Sequence, residues 1–327
     1  MKRIIAAALL CALMLSLLCG CSPSPTAVTV GGNKVDASEY AFFLSYNRVT
    51  TGENSGTVLF DARDNEIARE AAIEQILTNE VVRLKCEEFG LELSDAQKTA
   101  LESAKSQLIE SLGGTKAYLE YLEQSMLTDR TYDKFQENSY YSTMLYNYMM
   151  EESENYYTDE SLRKYFSSHY ATVKYIFISF REDDGSPKDK EICQELIDLA
   201  QELSKTAQSA EADFDVLMAR YNEDVSMTSY GFPVSTLEAS GTDYLTTLFD
   251  LEENQVGDPV ILSDGCYILK RCPVPAGYYD ENQRDIFLAA CNERFEQSMT
   301  QWKSEYTVKV SKIVEEINLS NLTDYIK

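Results

Sequence analysis

Apolar positions along this chain change character in sharp steps. Lys2 and Arg3 are followed by an apolar run from Ile4 to Leu18, broken only by Ser16. The run is shorter than the ~20 residues that cross a bilayer as a stable helix, and it suits the apolar part of a secretory signal. Val28 to Val35 alternates β-branched residues around Gly31-Gly32-Asn33 and predicts a β-hairpin. Ser38 is expected to cap a short helix over 40–46, with a polar loop over 50–64. Helical spacing then takes over. Ile73, Ile76, Leu77, Val81 and Leu84 share one face of a helix over 65–89, and Gly90 stands where a C-terminal cap belongs. Ser94 to Gln97 reads as a capping box, Gly113-Gly114 as a stop, and Thr115, Thr128 and Thr158 as further helix starts. Residues 38–168 therefore read as a helical bundle with short connections.

The pattern changes again at Ala171. Residues 171–180 form a β-rich run, followed by helices over 188–207 and 213–222. A short strand at 230–232, a helical turn over 244–251 and a hairpin of 259–262 with 266–272 complete a separate α+β module. Helix returns over 281–304, and 307–311 alternates like a strand. A lone hairpin is marginal in water, so 307–311 is expected to join 28–35 in one small sheet. The fold class predicted is α+β, with a discontinuous, mainly helical domain interrupted by the second module.

Composition narrows the chemistry. Of 327 residues 44% are hydrophobic and 25% charged, which excludes a disordered tail, a collagen-like repeat or a polytopic membrane protein. The net charge of −25, from 29 basic and 54 acidic residues, argues against nucleic acid as a partner. His169 is the only histidine, so no HExxH or histidine cage exists, and it reads as structural. The cysteines Cys11, Cys19, Cys21, Cys86, Cys193, Cys266, Cys272 and Cys291 include no CxxC pair beyond the leader, which argues against zinc or thioredoxin-like sites. No Walker A motif and no EF-hand spacing occur, and neither a cofactor nor a metal is expected. Acidic clusters such as Glu151-Glu152 read as solvated faces.

Leu18-Cys19-Gly20-Cys21 resembles the bacterial lipoprotein signal. The resemblance implies removal of 1–20, acylation of Cys21, a Pro/Ser tether over 21–27, and an extracytoplasmic protein lipid-anchored to the cell membrane. Loss of 1–20 takes Lys2 and Arg3 and moves the charge to −27. Five other cysteines remain. Cys86 and Cys193 lie on apolar helix faces and read as buried thiols. Cys266 and Cys272 fall roughly 20 Å apart on one strand, too far to bridge.

Two segments carry a broader resemblance. The hairpin VTVGGNKVD, the helix REAAIEQILTNEVVRLKCEEFGLELSDAQ and TDESLRKYF are similar to the N-terminal chaperone region of the PrsA and SurA class of extracytoplasmic foldases. Residues 171–275 resemble a divergent parvulin domain, with VKYIFISF as the first strand, ADFDVLMARYNED as helix and loop, and YLTTLFDLEENQVGDPVILSDGCYILKR as the closing part. The resemblance implies a chaperone domain of 28–170 and 277–327, into which a parvulin-like domain of 171–276 is inserted. It departs from the family at both histidine positions, held here by Phe177 and Tyr267. Asp224 matches a loop position often held by Cys or Asp. The Gly-Gly-Asp-Leu-Gly signature is reduced to Tyr230-Gly231-Phe232, and Tyr244 and Phe249 match apolar pocket positions.

Prolyl isomerisation must offset ~18–20 kcal/mol of amide resonance without breaking a bond. It needs an apolar slot that favours the twisted amide, not a strong acid or base. Phe177, Tyr244, Phe249 and Tyr267 supply rings for such a slot and Asp224 a polar neighbour; the alternative is that they are plain core and a loop cap. A second candidate surface is the stripe Tyr132, Phe135, Tyr140, Met144, Tyr148 and Met149, with Tyr140, Met144 and Tyr148 as client-binding candidates. The alternative is bundle core. The function expected is a membrane-anchored foldase that binds unfolded exported polypeptides without ATP, with weak or lost isomerase activity. An active peptidyl-prolyl isomerase is the first rival and a solute-binding surface lipoprotein the second. Homodimerisation is left open.

Overall fold

Strand β1 (Thr26–Val30) turns at Gly31-Gly32 into β2 (Asn33–Asp36), pairing Val28 with Val35. The computed structural model describes residues 24–48 and 62–326. The signal 1–20, Cys21, the first residues of the tether and most of the 50–64 loop lie outside the described residues; the last two tether residues, Thr26 and Ala27, already belong to β1. Gly31 and Gly32 have φ of +55° and +101°, as a tight hairpin turn requires. A Cβ on Gly31 would stand 2.8 Å from both Leu84 Cδ1 and Tyr306 Cδ1, so glycine also lets the turn seat against those side chains.

Strand β7 (Val308–Val310) pairs antiparallel with β1, opposing Val310 to Val28 and Val308 to Val30, and the sheet order is β2-β1-β7. The expected union of early and late segments forms. Beneath it lie Val28, Val30 and Val35, fully buried, with Tyr40, Phe43 and Leu44 of helix Ala37–Tyr46. The cap of that helix is Asp36 rather than Ser38. Its Oδ1 accepts from the N–H groups of Ser38 (3.1 Å) and Glu39 (3.0 Å), and from the Ser38 hydroxyl (2.6 Å). A carboxylate at the end of β2 reaches those amides first and complements the helix dipole as well.

Helix Ala62–Glu88 serves two clusters. Ala68, Ala72 and Ile76 join the core under the sheet, while Val81, Val82 and Cys86 meet Leu145 and Met299. It ends at Gly90 (φ +68°), with the Leu91 N–H donating to Cys86 O at 2.8 Å. Helices Asp95–Ser111, Thr115–Gln124 and Asp129–Tyr156 follow, the first opened by the expected Ser94 capping box. Helix Tyr278–Glu305 leads back to β7, and Val314, Ile317, Leu319 and Leu322 complete the first core. Two buried ionic groups sit here. Lys134 Nζ lies 2.8 Å from Glu39 and 2.6 Å from Glu80, and Asn33 Nδ2 donates to the other Glu80 oxygen at 2.9 Å. Lys85 lies 2.9 Å from both Glu88 and Glu305, with the rings of Trp302 and Tyr306 beside its ammonium.

The described residues up to 154 together with those from 292 onward form one compact unit, and 155–291 another. In the second, β3 (Tyr170–Ser179), β4 (Phe232–Ser235), β5 (Val260–Ile261) and β6 (Gly265–Cys272) make an antiparallel sheet of order β4-β3-β6-β5. Helices Lys190–Ala207 and Phe214–Tyr221 pack on it through Ala200, Leu203, Phe214 and Met218. This unit starts ahead of residue 171 because helix Asp159–His169 packs through Leu162 on Tyr279, Ile286 and Ala290. Strand β4 begins only at Phe232. Gly231 has φ of +67°, and a Cβ there would lie 2.4 Å from Val173 O. The turn expected over 244–251 is two 3-10 turns, Asp243–Leu245 and Leu248–Asp250.

Cys86, Cys193, Cys266 and Cys272 are free thiols, with Cys193 half-buried where full burial was expected, and Cys291 is buried. His169 stacks on Tyr165 at 4.0 Å. Among the described residues no helix is long and apolar enough to cross a membrane.

Candidate functional site

The site is built on two paired strands. Register sets Phe177 of β3 opposite Tyr267 of β6. Two residues earlier on β3, and therefore on the same face, is Tyr175. Its ring centre is 5.3 Å from Tyr244, 5.8 Å from Tyr267 and 6.4 Å from Phe232. Tyr244, from the first 3-10 turn, stacks on Tyr267 at 4.4 Å, and Phe177 lies 4.6 Å from Tyr267 on its other contacts. Tyr175 and Tyr267 are buried; Phe177 and Tyr244 are half-buried.

The loop after helix Phe214–Tyr221 is laced to β3. Asn222 Oδ1 accepts from the Phe177 N–H at 2.8 Å, and the Glu223 N–H donates to Phe177 O at 2.9 Å. This delivers Asp224, whose Oδ2 accepts from the Tyr175 hydroxyl. Its Oδ1 accepts from the backbone N–H (2.8 Å) and hydroxyl (2.7 Å) of Ser226. Tyr267 repeats the device, donating to Asp264 Oδ2 at 2.9 Å, while Asp264 Oδ1 is buried without a hydrogen-bond partner among the described residues.

These contacts set the ionisation states. Burial raises the Tyr175 phenol, and its bond to Asp224 raises it further. Burial and Asp264 do the same to Tyr267. Burial alone would push the Asp224 carboxyl up, but the donors Tyr175 and Ser226 outweigh it and hold it below the ordinary value. At neutral pH the tyrosines are neutral donors and Asp224 a carboxylate already engaged by Tyr175 and Ser226. Such a group is poorly placed as a base or nucleophile. The site instead offers an aromatic wall with an orphaned acceptor, suited to holding apolar peptide and not to covalent chemistry.

Phe177, Tyr244, Tyr267 and Asp224 are thus brought together. Phe249 is not among the stacked rings; the Arg271 guanidinium covers it at 5.2 Å, while Arg271 donates to Leu251 O at 2.8 Å. The central Tyr175 and the second acceptor Asp264 escaped sequence reading. Strand alternation places Tyr175 beside Phe177, and Asp264 stands three residues before Tyr267 in the hairpin turn, so both signals were present. Close in sequence to this cluster, Val225, Tyr230, Phe232 and Leu237 are exposed.

On helix Asp129–Tyr156 the methionine–tyrosine stripe divides. Tyr132 and Met149 are buried. Tyr140, Met144 and Tyr148 are half-buried, Tyr148 stacking on Phe89 at 4.8 Å. Phe135 is exposed and meets Phe42 edge-on at 5.5 Å.

Replacing Tyr175 with Phe keeps the ring and removes the donor to Asp224. The expected cost is about 1.5–3 kcal/mol, as for a hydrogen bond to a charged acceptor. NMR titration of the Asp224 carboxyl should then show its pKa move upward. An unchanged titration would mean that Ser226 alone holds the carboxylate.

No protein-family model matches the chain. Among curated proteins, the foldase protein PrsA of Clostridium perfringens strain 13 is 22% identical over 342 aligned residues, 94% of this chain and 95% of its own. The chain is similar to PrsA foldases. The PrsA likeness runs through both compact units, in keeping with the PrsA and SurA resemblance read from the hairpin, the long helix and the parvulin-like segment. Among solved structures, the peptidylprolyl isomerase PrsA of Bacillus anthracis covers 71% of this chain and 95% of its own, at 18% identity and a TM-score of 0.35. A structure from Campylobacter jejuni, described with PEB4 and Cj1289 as SurA-like chaperones, covers 88% of this chain and all of its own, at 11% identity and a TM-score of 0.34.

Proposed function

We propose that this protein is a lipid-anchored extracytoplasmic foldase that binds unfolded exported polypeptides and has weak or no prolyl isomerase activity. The likeness to a PrsA foldase along nearly the full length of both chains carries the reading. The inserted module, 171–276, is read as the parvulin-like domain, and Cys21 as the acylated residue. Tyr140, Met144 and Tyr148 stand as client contacts on the helical unit. The pairing of Asp224 with Tyr175, and of Tyr267 with Asp264, supports weak isomerisation, because both carboxylates are held by the site's own hydroxyls.

Suppressed aggregation of a chemically unfolded protein, with no acceleration in a protease-coupled assay on an Ala-Pro peptide, is the expected result. Acceleration that disappears in Tyr244→Ala or Asp224→Ala would instead establish the isomerase, which the aromatic wall around Tyr267 favours as the second reading. Fatty-acid labelling of the exported protein should vanish in Cys21→Ser.

A further inference from the structure

A groove of about 890 Å³ opens in the helical unit, at the upper end of the range for ligand clefts. Its floor is apolar, formed by Leu122 and Leu127, by Ile326 from the end of the chain, and by Leu119, which is 54% exposed. Its edge is acidic. Asp36, Glu123, Asp129 and Asp324 line it, with Arg130 the one cation among the described lining residues. Arg130 is already engaged by Asp36 at 3.4 Å, and Asp129 by Lys105 at 2.7 Å. Glu123 and Asp324 have no cation within ion-pair distance among the described residues.

We infer that this groove binds polypeptide segments in which leucine-class side chains are flanked by lysine or arginine. The inference rests on the foldase reading and adds a sequence preference to it. The floor takes the apolar side chains, and Glu123 and Asp324 meet the flanking cations. Acidic or phosphate-bearing occupants are repelled by the same edge. A second copy of this chain is disfavoured too, since each carries a net charge of −25. The chain's own N-terminal stretch, apolar behind Lys2 and Arg3, shares the chemistry, so the experiment must separate it.

The test uses fluorescence polarisation with labelled peptides of one Leu/Ala core flanked by either Lys or Glu. The chain without residues 1–20 should bind the Lys-flanked peptide about tenfold more tightly. That preference should fade in ~1 M salt, where the Debye length is about 3 Å, and should be absent from the Glu123→Lys/Asp324→Lys double variant. Leu119→Asp should weaken both peptides. Equal affinity for the two peptides overturns the proposal, as does a Lys preference that survives the double variant. Binding by the shortened chain but not by the full chain would assign the groove to the protein's own leader and likewise overturn it. Aggregation assays keep the two ideas apart. Suppression by the wild type without a peptide preference removes the groove proposal alone, whereas no suppression by the wild type removes the foldase reading and this inference with it.

Discussion

A chain that stops at Glu305 is expected to lose the first compact unit. The missing segment holds Val314, Ile317, Leu319 and Leu322, all buried in the core beneath the β2-β1-β7 sheet. At about 1.5–3 kcal/mol for each large apolar side chain, their loss amounts to ~6–12 kcal/mol. That is the size of the total stability of a typical domain, about 5–15 kcal/mol. Removing β7 also strips β1 of one partner and leaves an isolated hairpin, which is marginal in water. Methyl NMR should show the signals of Val28, Val30 and Ile76 collapse, while Ile176 and Ile268, in the contiguous unit 155–291, keep dispersed shifts. Retention of a wild-type melting transition by the shortened chain would show that the late segment is ornamental to the core.

Lys134→Met should be the most damaging single substitution in that unit at neutral pH. Glu80 is 2% exposed and Glu39 8% exposed, and Lys134 is the cation that both contact. Methionine fills the stem's volume but leaves two buried carboxylates facing one another, a change worth about 3–5 kcal/mol in comparable settings. The loss should shrink on acidification. Burial already raises Glu39 above its ordinary value, with Glu80 and Asp36 adding to the rise and Lys134 opposing it. A carboxyl raised in the folded state stabilises most fully below its unfolded pKa, and that contribution is lost as pH rises through the folded value. Without Lys134 the opposing influence is gone and the folded value climbs further. Chemical denaturation at pH 7 and near pH 5 should therefore give a smaller deficit at the lower pH. Adding Glu80→Gln to the variant should recover much of the neutral-pH loss. A deficit independent of pH would point to lost packing instead of stranded charge.

Much of the architecture was legible because local rules and burial agree. Ser94 and Thr158 cap their helices as expected, each with a reciprocal side-chain bond from Gln97 or Ser161. Gly90 closes the long helix, and the instability of a lone hairpin correctly anticipated β7. The misplacements have one physical character: competition between neighbours. Asp36 takes the helix cap from Ser38 because its carboxylate also lies at the positive end of the dipole. Gly231 delays β4 because only a residue without Cβ can pass so close to Val173 O. Phe177, Tyr244, Tyr267 and Asp224 came from positions of the parvulin resemblance, and the fold gathers them into one cluster. Tyr175 was passed over because no family position drew attention to it, although the two-residue period of β3 puts it beside Phe177. Phe249 lies apart from the stacked rings because Arg271 of β6 covers it, a contact that spacing does not show.

The sheet that joins β1 to β7 also dictates the order in which the chain can mature. Val28 emerges long before its partner Val310. The first core must wait for β7, whereas residues 155–291 hold everything their own core needs and can fold before β7 has emerged. That intermediate does useful work for the remainder. In the finished second unit the Tyr157 hydroxyl donates to Ala290 O at 3.0 Å, so its two ends stand side by side. The excursion between early and late segments is then already short-circuited, and the entropy of closing so long a loop is largely spent before β7 appears. Destabilising the second unit should therefore slow maturation of the first, even where no shared contact is altered.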